Sequence, residues 1–267
     1  MSVTPSKALR LLSLLPTHPV EFYDRVMTVV EVKKERGISS TKTCEFMSVM
    51  DALSAALNVS QDDIAKILAE KDLAAIEKAV SERIAEASAE DSFNRNHNGD
   101  FALARSIYVI CRLRMPDVVL ETGVANGVSS AFALQALAVN RKGRLFSIDF
   151  PPLGKEADQH VGALVPQHLR GRWKLYLGPT KRVLPDILAS IGELDVFIHD
   201  SLHTFRNMTF EFESVWPRLR PGGILLSDDV GMNDAFADFA ATAKPLMPTF
   251  IQEENKDAQF GIMVKAA

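Results

Sequence analysis

Residues 118–130 read VVLETGVANGVSS, and this stretch decides the fold. A short apolar strand, Val118–Glu121, runs into Gly123, and a helix is predicted over Ser129–Val139. Gly123 allows a tight turn at the strand end. Ala125 and Gly127 leave little side-chain bulk where a ligand would approach, and the following helix offers free amides. Taken alone, the stretch is also open to a purely structural turn. Glu121 is more informative, because an acid ending a buried strand is costly unless paired or used. It is badly placed for phosphate and fits a cationic or amine-bearing ligand.

The same rhythm continues downstream. Leu145–Asp149, Trp173–Leu177, Val196–His199 and Ile224–Ser227 read as strands, and Lys181–Ile191 and Phe205–Leu219 as helices. Such alternation predicts a mostly parallel sheet covered on both faces. Thr249–Glu253 and Gln259–Lys265 flank NKDA and read as a C-terminal antiparallel hairpin. The first third differs. It is rich in Ala, Glu and Lys, with helices expected over about 5–15, 20–36, 44–57, 61–70 and 73–89. Thr43 and Ser60 are the expected N-caps, with Asp63 completing the second. Ile64, Ile67, Leu68, Leu73, Ile76, Val80 and Ile84 fall on one helical face. The polar stretch 91–100, DSFNRNHNGD, reads as a linker. It divides a helical N-terminal cap or oligomerisation region, 1–96, from an α/β catalytic domain, 97–267.

With 267 residues the chain is long enough to bury a core without disulfide or metal staples. Lys and Arg number 30 against 34 Asp and Glu, a balance that predicts no nucleic-acid partner. Cys44 and Cys111 lie too far apart for a zinc motif. No apolar run reaches the length of a membrane span, and the N-terminal apolar stretch is too short and broken for a signal peptide. A cytoplasmic enzyme is therefore expected.

The chemistry collects at strand ends. Asp149 closes the second strand, where an acid can take both hydroxyls of a ribose. The glycine loop has GxAxG where a dinucleotide fingerprint has GxGxxG, which favours a nucleoside without a diphosphate. The fourth strand ends in IHDSLHT, bringing Asp200 and His203, and the fifth ends in Asp228 and Asp229. Adjacent parallel strands deliver their C-terminal ends to one crevice. Three carboxylates there repel unless a proton or cation sits among them, and oxygen donors suit Mg²⁺ or Mn²⁺. His203 is placed to remove a hydroxyl proton. His199 reads as a packed group behind the site, and Lys181 and Arg182 as a solvated helix face. His97 and Asp100 are candidates for contacts from a lid.

From about residue 97 to 265 the sequence resembles class I S-adenosylmethionine-dependent methyltransferases. ETGVANG, residues 121–127, is similar to their glycine-rich first motif, with Ala125 in place of the middle glycine. Asp149 matches the acid that holds the cofactor ribose. LRPGGILLSDD, residues 219–229, resembles their fifth strand and its turn. The resemblance implies a Rossmann-like, mostly parallel seven-stranded sheet with a C-terminal antiparallel hairpin. It implies a cofactor site of Glu121, Gly123, Ala125, Asn126, Gly127 and Asp149, with Glu121 near the cofactor's amino end. Asp200, Asp228 and Asp229 resemble the metal site of divalent-ion-dependent O-methyltransferases. The catechol type carries Lys where this chain has His203, and usually Asn where it has Asp229. The pattern is closer to the sugar and macrolide group, to which cephalosporin-biosynthesis methyltransferases look related. The expected function is Mg²⁺-dependent methylation of a hydroxyl on a small sugar or vicinal-diol metabolite, with His203 as base. The N-terminal helices are expected to form a cap or a homo-oligomer contact. A nicotinamide-dependent oxidoreductase and a catechol-type O-methyltransferase are the alternatives.

Overall fold

In the computed structural model, residues 5–86, 101–154, 157–252 and 259–266 are described. The chain begins with α1 (Pro5–Leu14) and α2 (Pro19–Lys34), followed by β1 (Phe46–Met47), α3 (Val49–Leu57), α4 (Gln61–Leu68) and α5 (Lys71–Glu86). The α/β part runs α6 (Phe101–Arg114), β2 (Val118–Thr122), α7 (Val128–Asn140), β3 (Arg144–Asp149), α8 (Ala157–His160) and β4 (Trp173–Leu177). It continues with α9 (Thr180–Ile191), β5 (Leu194–His199), α10 (Phe205–Val215), β6 (Leu219–Asp228), α11 (Ala235–Ala243), β7 (Leu246–Gln252) and β8 (Gln259–Val264).

The strands form one sheet in the order β1-β7-β8-β6-β5-β2-β3-β4. Among the described strands β8 alone runs against its neighbours, pairing antiparallel with β6 and β7. The Rossmann-like sheet and its C-terminal hairpin are thus as the sequence predicts, with one strand more. The addition is β1, which pairs parallel with β7 through Phe46↔Phe250 and Met47↔Ile251. It covers the backbone groups of a strand that would otherwise be an open edge. Its two phenyl rings meet edge-on at 6.5 Å.

Strand β1 also displaces the expected start of the third helix. Ser48, not Thr43, caps α3, its Oγ accepting from the Asp51 amide at 3.1 Å. Ser60 caps α4 as predicted, accepting from Asp63 N at 3.2 Å. The helix expected to reach Leu219 stops at Val215, because Pro217 lacks the amide needed to continue it; a 3-10 turn follows. Strand β6 starts earlier than predicted and passes through Pro221–Gly222–Gly223. Helix α9 continues through Pro185, and α11 had no counterpart in the sequence reading. The expected linker, His97, Asp100 and the NKDA turn lie outside the described residues.

Two apolar layers clamp the sheet. On one face α6 and α7 pack over β2 and β3 through Ile107, Ile110, Phe132 and Val119. The predicted stripe of α4 and α5 joins this layer: Ile64, Leu73, Ile76 and Val80 are buried, while Ile67, Leu68 and Ile84 are partly so. On the other face α9, α10 and α11 pack through Leu184, Phe212 and Phe236 onto Leu120, Phe197 and Leu225. Helix α2 is unlike these, since none of its side chains is buried. No described helix is long and apolar enough to cross a membrane.

Register decides where chemistry can occur. Glu121 pairs with both Ser147 and Ile198, and Thr122 with Ile148 and His199. His199 in turn pairs with Ser227. The C-terminal ends of β2, β3, β5 and β6 therefore finish nearly level. The chain order reverses on either side of β2, which places the ligand crevice there.

Candidate active site

The turn after β2 is built on backbone that side chains disfavour. Gly123, Ala125 and Gly127 have φ of 83°, 47° and 91°. At Gly123 the requirement is absolute, since a Cβ would lie 1.8 Å from the carbonyl oxygen of Asp200. That close approach ties the glycine loop to the loop after β5. Asp149 holds the turn from the other side. Its Oδ2 accepts from the amides of Val124 at 2.7 Å and Ala125 at 2.8 Å. Burial pushes the Asp149 carboxyl above its ordinary pKa, against the pull of those two amides. The carbonyls of Ala125 and Asn126 accept from Gly162 and Leu164, each at 2.9 Å. Gly123, Ala125 and Asp149 line a cavity at these strand ends, whereas Asn126 and Gly127 are not among its lining residues.

Glu121 does not face this cavity, contrary to expectation. The pleat sends it to the same side as Val119, under α7. There its carboxylate accepts from Ser129 at 2.7 Å, Ser130 at 2.6 Å and Ser147 at 2.7 Å. Burial raises its pKa, and the three hydroxyls oppose that rise. The acid is satisfied inside the core and has no free face for a ligand's amine.

At the other end of the crevice, Asp200 is fixed by its amide, which donates to the Thr122 carbonyl at 2.8 Å. Asp200, His203 and Asp228 converge, with potential ligand atoms all within 4.8 Å of one another. The Asp200 and Asp228 carboxyls face each other closely enough that their ionisation is linked. Burial raises both; repulsion from Asp228 adds to it at Asp200, which lies well above its usual range, and repulsion from Asp229 adds to it at Asp228, which rises to about 6. Asp229, in left-handed backbone at φ 52°, turns to the imidazole instead. Its Oδ2 lies 3.0 Å from His203 Nδ1. That bond lowers the Asp229 pKa. Burial opposes protonation of His203, but Asp229 and the neighbouring carboxylates outweigh it and the pKa rises. His203 Nε2 is left buried without a hydrogen-bond partner, 3.7 Å from Asp200 Oδ1. The structure thus brings His203 into the carboxylate cluster and sets Asp229 on the far side of its ring.

A buried acid that the sequence reading missed lies behind this cluster. Glu211 accepts from Thr122 Oγ1 at 2.5 Å, Ser201 Oγ at 2.7 Å, Asn207 Nδ2 at 2.9 Å and His199 Nδ1 at 2.7 Å. Burial alone would raise its pKa, yet His199 and the donated hydrogen bonds bring it down to about 2. Burial keeps the His199 imidazole below its ordinary value, so the neutral ring donates to a charged Glu211. The sequence signal was an acid four residues after Asn207 within the otherwise apolar face of FEFESV.

The cavity holds about 1030 Å³, room for two small molecules together. Its far wall is α2, which contributes Tyr23, Met27 and Thr28. Lys181 and Arg182 are not simply solvated. They line the cavity and pair with Glu31 and Asp24 of α2, Arg182 at 2.6 Å. A stripe at positions 23, 24, 27, 28, 31 and 32 would have been the sequence signal for this wall.

Residues 120–230 match a family model described as a methyltransferase domain. No curated protein matches the chain. Among solved structures, an O-methyltransferase from Bacillus cereus in complex with SAH superposes with a TM-score of 0.55 at 14% identity, covering 76% of this chain and 95% of that one. TomG, an O-methyltransferase from Streptomyces achromogenes involved in tomaymycin synthesis and bound to SAM, gives 0.51 at 17%, covering 91% and 99%. The SAH-bound methyltransferase PaMTH1 from Podospora anserina gives 0.52 at 14%, covering 91% and 96%. At such identities the likeness establishes the fold. The chain therefore has the fold of these methyltransferases, and its segment 120–230, which carries the glycine turn and the strand-end acids, is similar to a methyltransferase domain.

Proposed function

We propose that the protein is an S-adenosylmethionine-dependent O-methyltransferase that uses a divalent cation, Mg²⁺ or Mn²⁺. The observation that carries this reading is one cavity with two chemically distinct ends. The glycine turn and Asp149 form one, and Asp200, His203, Asp228 and Asp229 the other.

Both groups fit the residues present. Gly123 and Ala125 leave the first end free of side-chain bulk, and Asp149 stands where it can accept from ribose hydroxyls. S-adenosylmethionine, when bound, supplies a methyl group on a sulfonium centre. Asp200 and Asp228 repel as carboxylates, which a cation between them would relieve, and these oxygen donors suit a hard ion. Asp229 engages His203 through Oδ2 and would add its negative charge to the acidic set that holds the ion. A divalent ion offsets the carboxylate repulsion and lowers the pKa of an adjacent hydroxyl.

The chain's own part is positioning and proton transfer. His203 Nε2 takes the acceptor's hydroxyl proton, and Asp229 on Nδ1 holds the ring and stabilises the imidazolium that results. Glu121 acts indirectly, pinning α7 and β3 beside the glycine turn. Helix α2 closes the open side and limits water. The acceptor is a small molecule with neighbouring oxygens, a sugar or other vicinal diol. Calorimetry with S-adenosylhomocysteine tests the reading. The wild type should bind, and Asp149→Ala should bind at least about tenfold more weakly, as expected for losing charge-assisted bonds. Equal affinity in both, or tight NAD⁺ binding instead, would overturn it.

A further inference from the structure

Helix α2 presents an unusual combination. It is 16 residues long and none of its side chains is fully buried, so apolar packing alone does not fix it in place. One continuous stripe, Tyr23, Asp24, Met27, Thr28, Glu31 and Val32, faces the cavity. Its attachments are polar. Arg25 donates to the Pro151 carbonyl at 3.0 Å and lies over the Phe150 ring at 4.3 Å. Asp24 pairs with Arg182, and Glu31 with Lys181.

Two further ties have a different target. Glu31 Oε1 accepts from Thr204 Oγ1 at 2.5 Å. Glu35, the C-cap of α2, accepts from the amides of Phe205 at 2.6 Å and Arg206 at 3.2 Å. Thr204 is the N-cap of α10 and immediately follows His203. Its hydroxyl is committed in both directions, donating to Glu31 and accepting from Asn207 N at 3.2 Å. A carboxylate on the first amides of a helix satisfies donors that the helix itself cannot. The start of α10 is therefore capped by α2, across about 170 residues of sequence. Asp200, in contrast, is anchored from the sheet through Thr122. His203 lies between an end fixed by the sheet and an end fixed by α2, with Asn233 donating to its carbonyl at 3.2 Å and Asn207 to that of Leu202 at 3.0 Å.

We propose that Glu31 and Glu35 are positioning residues for His203. By capping α10 they set the course of the loop at 201–204 and hold the imidazole between Asp229 and the Asp200–Asp228 pair. This rests on the reading of His203 as the base. It makes the N-terminal helix a working part of the site as well as its cover. An acceptor that presses on Tyr23 or Met27 bears on the helix that positions the base.

The test uses the full chain labelled with ¹⁵N-histidine, with the imidazole signals of His203 assigned by their loss in His203→Asn. Glu31→Ala/Glu35→Ala should shift or broaden the His203 signals. The milder Glu35→Gln should move them in the same direction by less. Mn²⁺ affinity, set mainly by Asp200 and Asp228, should stay within about threefold. Asp24→Ala cuts a different tie of the same helix and should leave His203 unmoved. Unchanged His203 signals in the double variant would overturn the proposal. So would equal changes in Asp24→Ala, which would mean that any loosening of α2 suffices. The His203 signals report on the tie whether or not S-adenosylhomocysteine binds. Failure to bind it would count against the methyltransferase reading alone.

Discussion

Replacing Asp228 by Asn should make the metal-free protein more stable while removing its response to divalent ions. The Asp228 carboxyl has a folded pKa of about 6 against an ordinary 3.8, raised by burial first and by Asp229 next. Because the folded value lies above the unfolded one, the native state holds more protons between about pH 4 and 6. Stability therefore falls as pH rises through that window, and the loss is complete above it. The gap is worth about 3 kcal/mol at ~1.4 kcal/mol per pH unit. Residual solvent exposure and the linked ionisation of Asp200 reduce this to about 1–2 kcal/mol. For a chain of this size that corresponds to about 3–6 °C in Tm. Asparagine keeps the shape and can donate to Asp200 without adding the charge. Scanning calorimetry in EDTA should show the gain in full near pH 7.5 and little near pH 4, because both forms are neutral at the lower pH. Adding Mg²⁺ near pH 7.5 should raise the wild-type Tm and leave the variant's nearly unchanged. A variant that melts at or below the wild type near pH 7.5 in EDTA would refute the argument that unbalanced negative charge strains this site.

Three other substitutions probe different parts of the site. Gly123→Ala should destabilise by more than about 2 kcal/mol, from left-handed backbone strain plus the clash with the Asp200 carbonyl; a thermal melt identical to wild type would contradict the close approach. Glu211→Ala strands four donors, three of them on buried residues, and should cost about 3–5 kcal/mol. With the folded pKa lowered to about 2, the contribution of Glu211 is full above about pH 4.5 and is lost as pH falls towards 2. The variant should accordingly lack that limb of the acid-unfolding profile seen by circular dichroism. His203→Ala should lower kcat by roughly 10²–10⁴ with the fold intact, measured as S-adenosylhomocysteine release with an acceptor found by screening vicinal diols; unchanged turnover at saturating metal would remove His203 from the base role.

The separation between what was legible and what was not follows the range of the interactions. The strand rhythm, the hairpin, the buried stripe of α4 and α5, and the convergence of Asp149, Asp200, His203 and Asp228 on one crevice could all be read from sequence. They depend on local periodicity and on a topological rule that applies to any parallel sheet. Glu121 was misplaced because its side depends on a single step of the pleat, which the motif does not reveal. Strand β1 was missed because two residues carry no periodicity; they pair only because β7 offers an open edge. Lys181 and Arg182 read as solvated because their acidic partners lie about 150 residues away on α2.

The sequence by itself determined a parallel sheet with acids at its strand ends, since alternation and strand-end position are properties of short segments. Only the tertiary structure decided that Asp229 serves the His203 ring, that Glu211 holds the site from within, and that α2 walls it from outside. Each of these rests on a hydrogen bond or ion pair whose geometry exists only once distant segments have been brought together by the packing of the core.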